Sequence, residues 1–99
     1  MLKKSYPKNK KTCRVTFELP GSVDANTAHL VGDFNNWDRA SHPMKKRKKD
    51  GAFTLSIDLP REQIFHFRYW LNGSRWENDW AADAYAPGPF GDENSVVYT

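Results

Sequence analysis

Two short segments of this chain each present a tryptophan among amides and carboxylates. Residues 30–38 begin as an apolar run, break at Gly32 and continue into a polar loop that carries Trp37. Residues 72–79 form a turn that presents Trp76. A flat apolar ring surrounded by short hydrogen-bonding side chains suits a ligand that is apolar on one face and hydroxylated at its rim. A sugar is such a ligand.

Polar side chains that could contact the hydroxyl groups of a sugar occur in and near both segments. A carboxamide can bond adjacent hydroxyl groups through its oxygen and nitrogen, and a guanidinium donates two parallel hydrogen bonds. The candidates are Asn35, Asn36, Arg68, Asn72, Asn78 and Asn94. A site of this kind is shallow and partly solvated, so weak affinity for a short sugar is expected.

Catalytic chemistry has little support in the sequence. Glu77, Asp79 and Asp83 are the only carboxylates clustered near the aromatic residues. Glycoside hydrolysis needs two carboxylates that flank a bound bond in a cleft, which a small sandwich rarely provides. The three histidines lack zinc-ligand spacing, and no serine or cysteine has a base beside it. The sequence therefore predicts a protein that is not an enzyme, with no metal and no cofactor.

Alternating apolar residues indicate the strands that would position these side chains. A period of two is typical of a strand with one buried face, and Gly, Pro and Asp-Gly pairs end such strands. The predicted strands are residues 12–19, 28–32, 44–47, 52–59, 64–71 and 95–99. No stretch of useful length has helical periodicity. Short strands with turns between them predict an all-β fold, an immunoglobulin-like antiparallel β-sandwich, with a barrel as the alternative on pattern alone.

The predicted strand 64–71 carries chemistry on its outer face. Its apolar face contributes to the core, while Arg68 and Trp70 lie side by side on the opposite surface. Two interpretations are open: Trp70 is an additional platform for a sugar ring, or it forms a cation–π pair with Arg68 on a solvated sheet face. Trp80 is predicted to fill the core beneath a loop, and Trp37 could instead cap the sandwich.

Length and charge limit the domain organisation and the partners. The 99 residues suffice for one domain, predicted at residues 12–99 after a disordered basic tail at residues 1–11. Ten of the 15 Lys and Arg residues lie in that tail and in residues 45–49, so the body of the domain is acidic. A nucleic-acid groove would interleave cations with aromatic residues, which disfavours a nucleic-acid partner. The 45–49 lysine loop is interpreted as a solubilising hairpin tip that could also protect an edge strand from pairing with other sheets. The alternative is that it contacts an acidic partner or nucleic acid.

The cellular location is an expectation from the same features. No apolar run approaches the length of a membrane helix, and the basic start lacks the apolar stretch of a signal peptide. The single cysteine, Cys13, lies in an alternating strand and is predicted to be a small buried residue. A cytoplasmic protein without a membrane partner is expected.

Four ordered segments resemble carbohydrate-binding module family 48. Successive motifs of that family are matched by residues 31–37 (VGDFNNW), by 50–60, by 67–76 (FRYWLNGSRW), and by Asp83 together with residues 90–97 (FGDENSVV). It includes the glycogen-binding domain of the AMP-activated protein kinase β subunit and the N-terminal early-set domains of isoamylase and glycogen branching enzyme. The resemblance implies an early-set immunoglobulin-like sandwich that binds α-1,4-linked glucan: glycogen, starch or maltooligosaccharide.

The resemblance also implies the residues that contact the glucan. Two stacking tryptophans correspond to Trp37 and Trp76, a hydrogen-bonding lysine to Arg68, and a clamping asparagine to Asn94. A leucine and a threonine of the family are replaced by Phe90 and Asp92. The implied partner is α-glucan, with a glucan-metabolising enzyme or a kinase supplied by another chain. The alternative is a protein-interaction module of the same fold that has lost sugar binding.

Overall fold

The protein is a sandwich of two antiparallel sheets in the computed structural model, which describes residues 1–8, 10–89 and 91–99. Strands within those residues are β1 (Leu2–Ser5), β2 (Thr12–Leu19), β3 (Ala28–Gly32), β4 (Lys45–Lys46), β5 (Phe53–Pro60), β6 (Ile64–Leu71), β7 (Arg75–Glu77), β8 (Ala84–Pro87) and β9 (Glu93–Tyr98). One sheet has the order β1-β2-β5-β4. The other has the order β3-β6-β9-β8, with β7 paired to β6. The predicted all-β immunoglobulin-like sandwich is confirmed.

The alternating apolar residues form the core between the two sheets. On β2, Cys13, Val15 and Phe17 are fully buried, and on β6, Phe67 and Tyr69 are fully buried. The rings of Phe17 and Phe67 meet edge to face across the interior, with centroids 5.0 Å apart. The bounds predicted for β2, β3 and β6 agree with the structure because each of these strands packs one largely apolar face into the core.

The outer face of the five-stranded sheet carries the polar and aromatic residues of β6. In the register of this sheet, Val31 of β3 lies opposite Arg68, and Trp76 of β7 lies opposite Trp70. Directly opposite residues of an antiparallel pair point to the same face. Strand pairing therefore gathers Arg68, Trp70 and Trp76 on one surface, away from the core.

The tail predicted to be disordered contains a strand. Residues Leu2–Ser5 form β1, which pairs with β2 at the edge of the four-stranded sheet. Leu2 packs against the core, and the Lys4 ammonium lies 2.5 Å from the Asp83 carboxylate. The prediction of disorder is wrong for this stretch because the backbone hydrogen bonds that order it come from β2, not from any pattern of its own. Strands β7 and β8 were also absent from the sequence prediction.

The lysine-rich hairpin has the predicted form, with β4 as a short edge strand beside β5. Its turn is closed by Arg47, whose guanidinium donates to both oxygens of Asp50, and Gly51 has a left-handed φ of 72°. The hydrogen bond from Arg47, with a further one from the Ala52 backbone, lowers the pKa of Asp50 to about 2.

No helix in the described ranges is long and apolar enough to cross a membrane.

Candidate functional site

A groove of about 500 Å³ lies on the outer face of the five-stranded sheet. Its floor comes from β6 and β9, one wall from the loop after β3, and the other from β7 and the loop before β9. Its lining residues are Asp33, Trp37, Arg39, His66, Arg68, Trp76, Pro89, Asp92 and Asn94. Both tryptophans predicted to stack on a ligand therefore line one cavity, although they are 39 positions apart in the sequence.

The Trp37 wall begins with a tight turn after β3. Asn35 stabilises this turn: its side-chain oxygen accepts a hydrogen bond from the Gly32 backbone N–H (3.0 Å), and its amide nitrogen donates to the Leu30 carbonyl (3.0 Å). Asn36 and Trp37 follow with φ near +56° and +58°, in the left-handed region that side chains other than glycine rarely adopt. The backbone N–H of Trp37 returns to the Gly32 carbonyl at 2.9 Å. The turn thus aims the half-buried indole of Trp37 into the groove.

Asp33 holds the Trp37 indole in place. Its Oδ1 accepts the indole Nε1–H at 3.0 Å, and its Oδ2 accepts the backbone N–H of His66 at 2.7 Å. The His66 ring nitrogen Nδ1 lies 3.9 Å from the same Oδ2. One carboxylate therefore ties the loop and its indole to β6. Asp33 was not among the residues predicted for the site, although its position four residues before Trp37 allows this hydrogen bond.

Gly32 lets the turn approach β6 closely. A Cβ at this position would meet the carbonyl oxygen of His66 and the side chains of Phe67 and Phe34, all at less than 3.0 Å. The backbone of Gly32 is extended, so its requirement for glycine comes from lack of space and not from its conformation. This close approach places Asp33 within reach of the His66 N–H.

Arg68 is the centre of the polar floor. Its Nε donates to Asn94 Oδ1 at 2.7 Å, and its Nη2 lies 2.9 Å from Asp92 Oδ1. The side chain of Arg68 is 11% exposed and Asn94 as a whole is 6% exposed, whereas Asp92 is exposed. The hydrogen bond from Arg68 lowers the pKa of Asp92, which keeps that carboxylate ionised. Asp92 and Asn94, which were predicted separately for the site, are thus both bonded to Arg68.

Trp76 and Trp70 form an aromatic pair at the second wall. Their ring centroids are 4.6 Å apart with a tilt of 55°, as expected for a directly opposed cross-strand pair. Trp76 is 37% exposed and lines the groove, whereas Trp70 is half-buried and is not among the lining residues. Arg68 lies 5.9 Å from the Trp76 ring, while a different residue, Arg39, lies over Trp70. The cation–π partner suggested for Trp70 was Arg68, and the structure places Arg39 there.

The remaining amides predicted for the rim mostly have structural roles. The Asn72 side chain caps the 26–27 backbone, and the Asn78 side chain bonds Ser95 and the Glu93 carbonyl. Asn35 stabilises the turn described above, and Asn36 is exposed. Of the six amide and guanidinium candidates, the described part of the groove is lined by Arg68 and Asn94. The predicted contact residue Phe90 lies outside the described residues.

Trp80 is not a core residue. Its side chain is 53% exposed, and its indole N–H donates to Glu77 Oε2 at 2.9 Å. The prediction of a core plug is wrong because the neighbouring Asp79 takes the buried position instead. Asp79 is 1% exposed and accepts the hydroxyl of Tyr69 at 2.6 Å, and burial together with this carboxylate raises the pKa of Tyr69.

The three carboxylates predicted to cluster near the aromatic residues, Glu77, Asp79 and Asp83, each accept hydrogen bonds from groups of the protein itself. Asp79 also accepts the Ala81 backbone N–H, and Asp83 pairs with Lys4 and the Tyr98 backbone N–H. Within residues 1–8, 10–89 and 91–99, no three His, Cys, Asp or Glu side chains gather as metal ligands do. What the groove offers chemically is two indole faces and a fixed set of hydrogen-bonding groups.

The protein is thus an immunoglobulin-like sandwich whose outer face carries a groove of two indoles and fixed hydrogen-bonding groups, which suits a carbohydrate ligand. Comparison with known families agrees: residues 11–86 match carbohydrate-binding module 48 (isoamylase N-terminal domain). The chain belongs to this family. The matched domain is a binding module and not a catalytic domain.

Similar proteins include several 1,4-alpha-glucan branching enzymes. The protein from Saccharomyces cerevisiae is 41% identical over 49 residues, which is 50% of this chain and 7% of that enzyme. Those from Butyrivibrio fibrisolvens and Aquifex aeolicus are 36% identical over 53 residues and 33% over 67 residues. These matches cover 54% and 67% of this chain, and 8% and 10% of the enzymes. The chain thus spans a small part of the relatives that it matches.

Proposed function

We propose that this module binds α-1,4-glucan in the groove between Trp37 and Trp76. The observation that carries the proposal is the placement of both indoles along one cavity, with the bonded group of Arg68, Asp92 and Asn94 between them. Its support from the comparisons is the carbohydrate-binding family and the word glucan in the names of the relatives.

The two indoles supply the apolar part of the interaction. A glucose ring presents its C–H groups as an apolar face, and stacking removes that face and the indole from water. Each ring stacked in this way contributes on the order of 1–2 kcal/mol. Two rings in a groove open to solvent give weak binding of a short oligosaccharide and stronger binding of a chain long enough to contact both.

The polar floor supplies orientation. Because Asp92 and Asn94 hold the Arg68 guanidinium, its remaining N–H groups have a fixed direction before a ligand arrives. Preorganised donors lose little side-chain entropy on binding, so they favour one orientation of the glucan hydroxyl groups. The carboxylate of Asp92, where the family has a threonine by resemblance, adds two hydrogen-bond acceptors and changes which hydroxyl groups the rim prefers.

The experiment is an NMR titration of the ¹⁵N-labelled chain with maltoheptaose. We expect shifts of the Trp37 and Trp76 indole N–H signals and little response from Trp80. Trp76→Ala should abolish binding at millimolar sugar, whereas Trp80→Ala is the matched control because Trp80 is more exposed but lies outside the groove. Equal binding by the Trp76→Ala variant, with its fold intact, would remove the proposed site.

Salt and ligand controls separate this function from the alternatives. A neutral glucan should bind almost independently of ionic strength, whereas contacts to a polyanion weaken steeply as salt rises. Cellohexaose, whose β-1,4 linkages give a different chain shape, should bind more weakly than maltohexaose. A flat titration with every α-glucan would favour the protein-interaction module instead, and a glucan-metabolising enzyme or a kinase is then the partner to test.

A further inference from the structure

The loop that carries Trp37 makes a second contact with the sheet, through Arg39. The guanidinium carbon of Arg39 lies 4.6 Å from the centroid of the Trp70 ring and 5.5 Å from that of Trp76. Both distances fall within the range of cation–π attraction, and tryptophan is the strongest aromatic partner for a cation. Arg39 therefore connects the loop after β3 to the aromatic pair on β6 and β7.

The surroundings of Arg39 leave its charge available for this contact. The ion pairs among the described residues involve other cations, and Arg39 is not part of them. The residues beside it are held locally, since Asp38 accepts hydrogen bonds from the Ala40 N–H at 2.9 Å and the Ser41 hydroxyl at 2.6 Å. These two bonds fold the loop on itself, and Arg39 is the side chain that extends from it to the far wall.

We propose that Arg39 is a positioning residue that clamps the Trp37 loop to the Trp70–Trp76 pair and thereby sets the placement of the two stacking indoles. In this proposal the ring of Trp70 binds the Arg39 guanidinium and is not a third platform for a sugar ring. Asp33 anchors the loop to β6 on one side of Trp37, and Arg39 anchors it to β7 on the other. The inference rests on the proposed glucan function, because it concerns the distance between the Trp37 and Trp76 indoles on which a glucan chain would stack.

The first experiment tests the clamp without a ligand. In Arg39→Ala, backbone ¹⁵N relaxation should show increased fast motion of residues 36–41, and the Trp37 indole signal should shift. Arg14→Ala is the matched control, since Arg14 is an exposed arginine in the four-stranded sheet, away from the groove, where it pairs with Asp58 of the neighbouring strand. A loop that stays as rigid in Arg39→Ala as in the control would overturn the clamp, whatever the module binds.

The second experiment separates positioning from direct contact by chain length. Arg39→Ala should bind maltoheptaose about fivefold more weakly, because the clamp consists of cation–π contacts made by one exposed side chain. Its affinity for maltose, a shorter ligand that spans fewer contacts in the groove, should change less. Arg39→Lys should recover part of the loss. The losses of Arg39→Ala and Trp70→Leu should be less than additive in the double variant, because both substitutions disturb the contact between Arg39 and Trp70.

The outcomes distinguish this proposal from the function on which it depends. Equal losses for maltose and maltoheptaose, or additive losses in the double variant, would overturn the positioning role and make Arg39 a direct ligand contact. Failure of the wild-type chain to bind any α-glucan would defeat the proposed function, while the relaxation measurement would still decide whether the clamp exists.

Discussion

Replacing Gly32 by alanine should damage both stability and glucan binding. The ideal Cβ would lie 2.6 Å from the His66 carbonyl oxygen, 2.8 Å from Phe67 Cβ and 2.9 Å from Phe34 Cζ. Two of these atoms belong to backbone or to a Cβ and cannot move without shifting β6. Because β6 is the central strand of its sheet, the turn after β3 must move instead.

The magnitude follows from two opposing terms. Overpacking of a buried site costs about 1–3 kcal/mol, and three contacts below 3.0 Å place this one near the upper end. Alanine also restricts the unfolded chain, which returns about 0.4–1 kcal/mol where the native conformation suits it, as the extended backbone of Gly32 does. We expect a net loss of about 2 kcal/mol in the free energy of unfolding.

Urea unfolding followed by tryptophan fluorescence measures this loss, and a glucan titration measures the displacement of Trp37. Gly73→Ala is the control, because nothing lies within 4 Å of its Cβ position while its φ of +64° is left-handed. That variant should lose about 1 kcal/mol from backbone conformation alone. If Gly32→Ala were no less stable than wild type and kept its glucan affinity, the argument that close packing positions the loop would be refuted.

Three further predictions concern other contacts. Asp33→Ala removes the acceptor of the Trp37 indole N–H, so the NMR signal of that indole should move in the free protein. The affinity for maltoheptaose, measured by calorimetry, should fall about fivefold, which corresponds to the loss of one hydrogen bond. Arg47 holds the pKa of Asp50 at about 2, so the stability from this pair should be complete above about pH 4 and lost as pH falls towards 2. Asp50→Asn should lack that step in urea midpoints measured against pH; an unchanged step would assign it to another carboxylate. Deletion of residues 1–8 removes β1 from the sheet opposite the groove, so thermal stability should fall while glucan affinity is kept, and a large loss of affinity would contradict the location of the site.

The sequence by itself determined the strands that have one buried face. Alternation of apolar and polar residues is a local property that is clear in β2 and in the centre of β6, while β3 is a short apolar run that ends at Gly32. The bounds of these three strands could therefore be read from the sequence. The same alternation put Arg68 and Trp70 on the outer surface. The edge strand β1 was missed because it is held in place by hydrogen bonds to β2, a partner strand elsewhere in the sequence. A local pattern of residues does not reveal such a pairing.

Only the tertiary structure decided which candidate side chains meet. Arg68, Asp92 and Asn94 come together because β6 pairs with β9, and the register of that pairing is not encoded in either strand alone. Exposure of Trp80 depended on Asp79 occupying the interior beside it. Arg39 had no motif or alternation to mark it, since a side chain on a loop acquires a role only when folding brings an aromatic face within its reach. Residue types thus indicated the chemistry of the site, while its geometry arose from contacts between segments far apart in the chain.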